Sequence, residues 1–358
     1  MTVHPNVHAE WKEWSEQETL HVISPYFNPL RSRNRRELFH DFSYHMQHAP
    51  NVSFWPVELA YGARPFEVTD SSNPQHIQLR TTDILWYKEN LINETVKRIP
   101  LPPVVGQAQY LAYFDGDVTC ERHDWALEAI HQLQIFPWVQ LFSSFVFHSP
   151  DHLPIHQHPS YAYIYNEYAP DPNPPGSTKQ TSKGEGGYLG KPPSGFIRDR
   201  RFPGAPGLGW AFTRAGFDAV GGFLDTCIMG SADWHMALGF TGDEARGANV
   251  HDIHGSGDAY NQSIGLWQRR AFAAIKGKIG YVKQQLTHHW HGDHSKRQYQ
   301  SRWKILDKNH FDPLVDLQRD SQGLLRYTGN KPQLEREMRD YMLARNDDST
   351  EMFGKPIF

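Results

Sequence analysis

The stretch QYLAYFDGDVTCERHDWALEAIHQL, residues 109–133, decides the predicted fold. An apolar run ends at two aspartates, Asp115 and Asp117, and an amphipathic helix begins a few residues later. A strand that leads into a helix is the repeating unit of an α/β protein. Ligands of open α/β sheets bind beyond the carboxyl ends of the strands, so these two aspartates are predicted to lie at the rim of a binding crevice.

The neighbouring segments continue the alternation of strands and helices. Strands are predicted at 20–27 and 51–62, and helices over 31–47 and 81–99. A late strand is predicted within 280–294. We therefore predict an α/β fold with a mainly parallel, Rossmann-like central sheet that is flanked by helices.

The chain is predicted to have three parts. Residues 1–17 form an N-terminal arm, residues 18–320 form one globular domain, and residues 321–358 form a polar helical tail. A Gly- and Pro-rich insertion at about 170–203 is too long for an ordinary connection. Because it offers little apolar surface, we expect a flexible flap that becomes ordered over a bound ligand.

Composition excludes several classes of protein. The net charge of -4 over 358 residues gives no overall positive excess for a nucleic acid or a membrane surface. Two cysteines, Cys120 and Cys227, do not make a disulfide framework. The N-terminus lacks a signal-peptide pattern, and no run of apolar residues is long enough to span a membrane. We expect a cytoplasmic protein without membrane insertion.

Asp115 and Asp117 are predicted to bind a divalent cation. They are two residues apart on an extended segment, so their side chains point the same way. Carboxylate oxygens suit Mg²⁺ or Mn²⁺, which keep other coordination positions for phosphates and water. The alternative is a tight turn, in which Asp-Gly is a favoured pair.

Two further segments offer charged groups to the same crevice. Arg31, Arg33, Arg35 and Arg36 lie where a loop enters a helix, and guanidinium and backbone N–H groups there suit phosphate. The alternative is a solvated basic helix face. Asp233 lies in a Gly-Ser-Ala-Asp-Trp-His context whose small residues leave space for a bound ring. The alternative for Asp233 is a helix N-cap.

The order and spacing of these segments resemble the GT-A glycosyltransferases, and among them the galactosyltransferases and N-acetylgalactosaminyltransferases. The resemblance covers about residues 18–300. Its segments are Pro25 with RSRNR (31–35), KENLINETV (88–96), YFDGDV (113–118), GWAFTRAGFDAVGGF (209–223) and GSADWHM (230–236). It implies that residues 18–320 are a GT-A glycosyltransferase domain, which uses a nucleotide-sugar donor.

The resemblance implies a role for each segment. Asp115 and Asp117 would bind the nucleotide and a Mn²⁺ or Mg²⁺ ion that bridges the donor phosphates, and Asp233 would be the catalytic base. Contacts with the donor are implied for Pro25, Arg31, Arg33, Arg35, Lys88, Gly209 and Trp210. Relatives often carry a Glu-Asp or Asp-Asp pair after a Trp-Gly, whereas this chain has a single aspartate after Ser231 and Ala232.

The histidine-rich segment LTHHWHGDHSKRQYQSRWK, residues 286–304, has two incompatible interpretations. His289, His291, Asp293 and His294 match the His-x-His-x-Asp-His pattern of metallo-β-lactamase-like zinc hydrolases. That fold places the pattern in its first half and needs further ligands downstream. Only 64 residues follow the pattern in this chain.

The glycosyltransferase interpretation uses one histidine of this segment as the third metal ligand. We favour His291 and then His289, which share one face if the segment is extended. The resemblance also implies that Lys296 and Arg297 help to hold the leaving diphosphate. Both are basic residues directly after the histidines.

The expected reaction is transfer of a sugar from a nucleotide-diphosphate sugar, with UDP-sugar as the expected donor, to an acceptor hydroxyl with inversion. The acceptor is a glycan or, alternatively, a modified DNA base. The DNA alternative rests on the basic residues of the insertion, Lys179, Lys183, Lys191, Arg198, Arg200 and Arg201. The competing functions are the zinc hydrolase and a non-catalytic nucleotide-sugar-binding protein.

Overall fold

The computed structural model describes residues 18–102, 108–168, 204–242, 258–298 and 301–350. The predicted N-terminal arm and the predicted flap lie outside these ranges, and so do the basic residues of the insertion. The DNA alternative is therefore not tested by the described part of the chain.

The described residues contain thirteen strands. They are β1 (Leu20–Phe27), β2 (Val52–Tyr61), β3 (Ile77–Thr81), β4 (Tyr110–Phe114), β5 (Val118–Cys120), β6 (Trp138–Gln140), β7 (Ser144–His148), β8 (Pro154–Pro159), β9 (Gly209–Thr213), β10 (Ile279–Tyr281), β11 (Gln285–His288), β12 (Leu317–Arg319) and β13 (Leu325–Tyr327).

The described helices alternate with the strands in the first half of the chain. They are α1 (Arg33–Gln47), α2 (Lys88–Val96), α3 (Trp125–Leu133), α4 (Tyr161–Tyr168), α5 (Arg214–Val220), α6 (Ala232–Thr241), α7 (Asp258–Ile275), α8 (Lys304–Lys308) and α9 (Pro332–Ala344), with a 3-10 helix at His294–Arg297. None of the helices in the described ranges is long and apolar enough to cross a membrane.

Seven strands form the central sheet in the order β10-β6-β9-β4-β1-β2-β3. β9 is antiparallel to both of its neighbours, and every other adjacent pair is parallel. A second sheet has the order β5-β11-β7-β8, and β12 pairs with β13. The predicted α/β class and its mainly parallel central sheet are confirmed.

The central sheet is buried on both faces because alternate residues of its strands enter two different clusters of apolar side chains. In β4, Leu111 and Tyr113 pack with α2 and α5, while Ala112 and Phe114 pack with α1 and α3. A sheet with helices on both faces presents its strand ends as the accessible edge, and this edge carries the candidate site.

Two predicted strands are each divided between two sheets. The extended segment that was predicted to carry both Asp115 and Asp117 ends as β4 at Phe114, and the chain turns before β5. The predicted late strand becomes β10 in the central sheet and β11 in the second sheet. These breaks place Asp115, Asp117, His289 and His291 in loops, while His288 is the last residue of β11.

The predicted boundary at residue 320 does not separate two packing units. It falls within the β12–β13 hairpin. Helix α9 is present as predicted, but it buries Leu334, Met338, Tyr341 and Met342 in the same apolar cluster as β1 and β4. The C-terminal helix is therefore part of the main core.

Candidate functional site

A cavity of about 230 Å³ lies where the parallel strands β1 and β4 end. Pro25 and Phe27 line it from the end of β1, and Asp115 and Asp117 line it from the turn after β4. Further walls come from the start of α2, the start of α6 and the segment after β11. The cavity therefore occupies the edge at which α/β sheets bind ligands.

Eight of the residues that were singled out from the sequence line this cavity. They are Pro25, Arg35, Lys88, Asp115, Asp117, Asp233, His291 and Arg297. These residues come from positions as far as 272 apart in the chain, and the fold brings them to one place.

Five other predicted donor contacts do not line the cavity. Arg31 has an exposed side chain near Glu67, and Arg33 pairs with Glu37 on the surface of α1. Lys296 is exposed. The indole of Trp210 is buried and donates to the carbonyl of Pro206, and a Cβ on Gly209 would lie 2.4 Å from Phe114. The side chain of Trp210 and the small size of Gly209 are thus explained by core packing.

Asp117, His288 and His291 form the one group in the described residues that could hold a metal ion, with ligand atoms within 4.8 Å of one another. Nε2 of His291 lies 3.0 Å from Nε2 of His288 and 3.3 Å from Oδ2 of Asp117. Nε2 of His288 lies 3.7 Å from Oδ1 of Asp117. Three potential ligands therefore converge, one from the turn after β4, one from the end of β11 and one from the segment that follows β11.

The donor atoms fit a divalent cation. Two ligand nitrogens about 2.1 Å from a cation lie about 3 Å apart when their bonds meet at a right angle, which is close to the separation of His288 and His291. Oδ1 of Asp117 is buried and has no hydrogen-bond partner among the described residues. A buried carboxylate oxygen of this kind is stabilised by coordination.

The charge states of these groups also suit metal binding. Burial lowers the pKa of His291 well below its usual value, and the neighbouring Arg297 lowers it further. Burial alone would raise the pKa of Asp117, but His291, His288 and Arg297 outweigh that effect and lower it. A neutral imidazole and an ionised carboxylate are the forms that bind metals.

His288, and not the predicted His289, is the second histidine of the metal-binding group. β11 ends at His288, and residues 289–291 belong to no strand. Alternation of faces applies only within a strand, so the predicted shared face of His289 and His291 does not exist. Nε2 of His289 instead lies 2.8 Å from Oγ1 of Thr119. The metal-binding group therefore departs from the His-x-His-x-Asp-His pattern.

Lys88 is buried between two carboxylates of the cavity. Its Nζ lies 3.3 Å from Oδ1 of Asp115 and 4.0 Å from Oδ2 of Asp233. Burial alone would lower the pKa of Lys88, but Asp115, Tyr113 and Asp233 raise it well above its usual value. A protonated Lys88 therefore holds these carboxylates in place.

Asp233 directs its carboxylate into the cavity from the first turn of α6. The N-cap position belongs to Ser231, and Asp233 accepts only from the adjacent backbone N–H of Trp234 among the described contacts. A Cβ on Gly207 would lie 2.6 Å from Oδ2 of Asp233, so the glycine leaves room for this carboxylate. The alternative role considered for Asp233 from the sequence, that of a helix N-cap, does not account for the position of this residue.

Four arginines line the cavity: Arg35, Arg297, Arg302 and Arg345. Arg297 is buried against the ring of His291, and Arg302 donates to Oγ of Ser231 and to the hydroxyl of Tyr341. No pattern in the sequence singled out Arg302 or Arg345. Arg302 lies near the end of the histidine-rich segment, and Arg345 lies in the segment that was predicted to be a polar tail. The fold alone assigns them to the site.

The cavity therefore combines a metal-binding group, a carboxylate that can accept a proton, and several guanidinium groups that suit phosphate oxygens. This combination suits a ligand that is anionic and binds together with a cation. Neither the protein-family models nor the curated proteins with which the chain was compared give a match.

Proposed function

We propose that the protein is a metal-dependent glycosyltransferase of the GT-A type, which transfers a sugar from a nucleotide-diphosphate sugar. The proposal is carried by one observation: Asp117, His288 and His291 share a single cavity with Asp233 and with four arginines. A nucleoside diphosphate needs cationic groups around its phosphates, and an acceptor hydroxyl needs a base nearby. The position of the cavity at the ends of β1 and β4 supports this assignment.

Different residues of the cavity have different roles in the proposed reaction. A cation held by Asp117, His288 and His291 would neutralise charge on the diphosphate. Arg297 and Arg302 stabilise the negative charge that develops on the leaving group. Asp233 removes the proton from the acceptor hydroxyl as that oxygen attacks the anomeric carbon. The resemblance implies that the acceptor attacks from the side opposite the leaving group, which gives inversion.

The donor atoms support Mn²⁺ over Mg²⁺. Mg²⁺ is bound mainly through oxygen ligands, whereas this group offers two imidazole nitrogens and one carboxylate. Zn²⁺ also accepts such a set, so the zinc hydrolase remains the competing proposal. That proposal has less support, because His289 lies against Thr119 and the group includes Asp117, which is outside its motif.

We propose a UDP-sugar as the donor and a glycan hydroxyl as the acceptor. The net charge of -4 disfavours a DNA acceptor, because an acidic protein repels the phosphate backbone. A non-catalytic protein would bind the same donor without releasing nucleoside diphosphate, so turnover distinguishes it from the enzyme.

The proposal is tested by thermal unfolding with a panel of nucleotide sugars, with and without Mn²⁺. A donor at 100 times its dissociation constant adds about 2.7 kcal/mol to the free energy of unfolding and raises the melting temperature. We expect one nucleotide class to do this only with Mn²⁺, and to release nucleoside diphosphate slowly. Asp117→Ala is expected to abolish both effects while the protein remains folded, because a carboxylate at the cavity edge stabilises no core.

Two results would contradict the proposal. One is full activity in excess EDTA, since the cation is required for binding of the diphosphate. The other is tightly bound stoichiometric zinc with no response to any nucleotide sugar, which would favour the hydrolase.

A further inference from the structure

Arg345 reaches the cavity from the segment that follows helix α9. The residue is 4% exposed, and its guanidinium lies 5.2 Å from the ring centre of Trp86. The next residue, Asn346, has a φ of 46°, a left-handed conformation that asparagine tolerates well. The chain therefore turns sharply here, and a buried cation remains at the wall of the cavity.

Two guanidinium groups share one carboxylate at this wall. Nε of Arg35 lies 2.8 Å from Oδ2 of Asp347, and Nε of Arg345 lies 3.5 Å from Oδ1 of the same residue. Asp347 is the only carboxylate paired with either arginine in the described part of the chain. One positive charge is therefore left uncompensated, and a buried charge of this kind is costly without a partner.

The segment that carries Arg345 is held in a fixed position. The carboxylate of Asp348 accepts from Oγ of Ser32 at 2.6 Å and from the backbone N–H groups of Arg33 and Asn34 at 3.1 and 2.9 Å. Nε1 of Trp290 donates to the carbonyl of Ser349 at 2.7 Å. These contacts tie the segment to α1 and to the loop that carries His291. Arg345 is thus preorganised for a ligand.

We infer that Arg345 is a further binding residue for the diphosphate of the donor, supplied by the C-terminal segment and positioned by Asp347. The inference rests on the proposed function, and it assigns the role to Arg345 because this arginine lies farther from the shared carboxylate of Asp347 than Arg35 does, at 3.5 Å against 2.8 Å. Arg345 lines the cavity, and the oxygens of a diphosphate bound there would accept its guanidinium N–H groups.

The test is isothermal titration of inorganic pyrophosphate in the presence of Mn²⁺, and of Mn²⁺ alone. Arg345→Gln is expected to weaken the binding of pyrophosphate about 10- to 100-fold, the range for a charge-assisted contact. The affinity for Mn²⁺ alone is expected to stay within about twofold, since Arg345 is not a metal ligand. Arg339→Gln, which alters an exposed arginine of α9, is the matched control and should change neither affinity.

Arg345→Lys keeps a positive charge but loses the planar fork, so we expect an intermediate loss of pyrophosphate affinity. Arg345→Lys tests the role of Arg345 in pyrophosphate binding if Arg345→Gln does not fold. Unchanged pyrophosphate affinity in the variants, or an equal loss of Mn²⁺ affinity, would overturn the inference and leave the proposed function standing. Failure of the unaltered protein to bind either Mn²⁺ or pyrophosphate would refute both proposals.

Discussion

Asp233 shows how one side chain is kept available for chemistry. Its carboxylate is next to Lys88 and faces the cavity, while the cap position of α6 is taken by Ser231 in a left-handed conformation with a φ of 66°. Such a conformation is unfavourable for a residue other than glycine and is found where function requires it. Asp233 is therefore not the N-cap of the helix, and its carboxylate accepts from one backbone N–H of the first turn, that of Trp234.

We predict that Asp233→Asn slows sugar transfer by roughly 10²-fold or more, the scale for loss of a positioned general base. The amide has nearly the same size but cannot accept the proton, so the affinity for nucleotide sugar should change little. Transfer rates and donor dissociation constants, measured on the same preparation, separate the two effects. A variant that transfers sugar at the original rate would show that the base lies elsewhere.

Asp218→Asn is the suitable control for that experiment. Asp218 is 58% exposed on α5 and pairs with Arg214, so its loss should leave both rate and stability nearly unchanged. Asp225 looks equivalent in the sequence, but it is buried and accepts from Arg319, Asn90 and Asn93. Its substitution would disturb the fold and would not serve as a control.

At the scale of elements, the end of strand β11 decides which histidines bind the metal. His288 is the last residue of the strand and stays inside, whereas His291 reaches the same place from the irregular segment that follows the strand. His289 faces Thr119. A one-residue difference in where a strand ends therefore exchanges one metal ligand for another.

We predict that His288→Ala and His291→Ala each lower the affinity for Mn²⁺ by roughly 10-fold or more, since even outer-shell partners of metal ligands contribute that much. His289→Ala should leave Mn²⁺ affinity nearly unchanged and cost about 1 kcal/mol of stability through its hydrogen bond with Thr119. Calorimetric titration of Mn²⁺ measures these affinities. Equal losses in all three variants would contradict the assigned ligand group.

The sequence could predict features that depend on local pattern. An apolar run followed by two aspartates is enough to place Asp115 and Asp117 at a strand end. The choice between His288 and His289 needs the last residue of β11, which pairing with β5 and β7 determines. Arg345 lies 230 residues from Asp115, and no short-range pattern connects them. Sequence reasoning therefore found the strand-end residues and missed those delivered by tertiary packing.

At the scale of the whole molecule, the C-terminal helix α9 belongs to the main core. We predict that Met338→Ala, at a fully buried site, destabilises the entire protein by about 2–5 kcal/mol. Leu343→Ala on the same helix, at a side chain that is 55% exposed, should cost within about 0.5 kcal/mol. Scanning calorimetry should show a single unfolding transition that shifts as a whole. A separate transition for the C-terminal region would contradict this prediction.

The stability of the whole molecule should also depend on pH through Glu89. Burial raises the pKa of Glu89 to about 8, with Asp233 adding to the effect and Lys88 opposing it. The folded protein thus retains a proton that the unfolded chain releases near its usual pKa of 4.5. The stabilisation is complete below pH 4.5 and is lost as the pH rises towards 8, at up to about 1.4 kcal/mol per pH unit.

We predict that Glu89→Gln flattens this loss of stability between pH 5 and pH 8. The amide stays neutral at every pH, so it removes the titration while nearly keeping the side-chain volume. Urea unfolding at a series of pH values measures the slope. Glu37→Gln, on the exposed surface of α1, should leave the slope as it is in the unaltered protein. An unchanged slope in Glu89→Gln would mean that Glu89 is already ionised in the folded protein.

Gly292 joins the loop of His291 to the C-terminal segment, because a Cβ there would lie 3.0 Å from the carbonyl oxygen of Asn346 and from the Cα of Asp347. We therefore expect any shift of the loop on cation binding to reach the residues beside Arg345. Binding of the cation and of the anion should be cooperative, and thermodynamic linkage requires each to raise the affinity of the other by the same factor. A methyl group at position 292 would weaken this coupling without removing a single ligand.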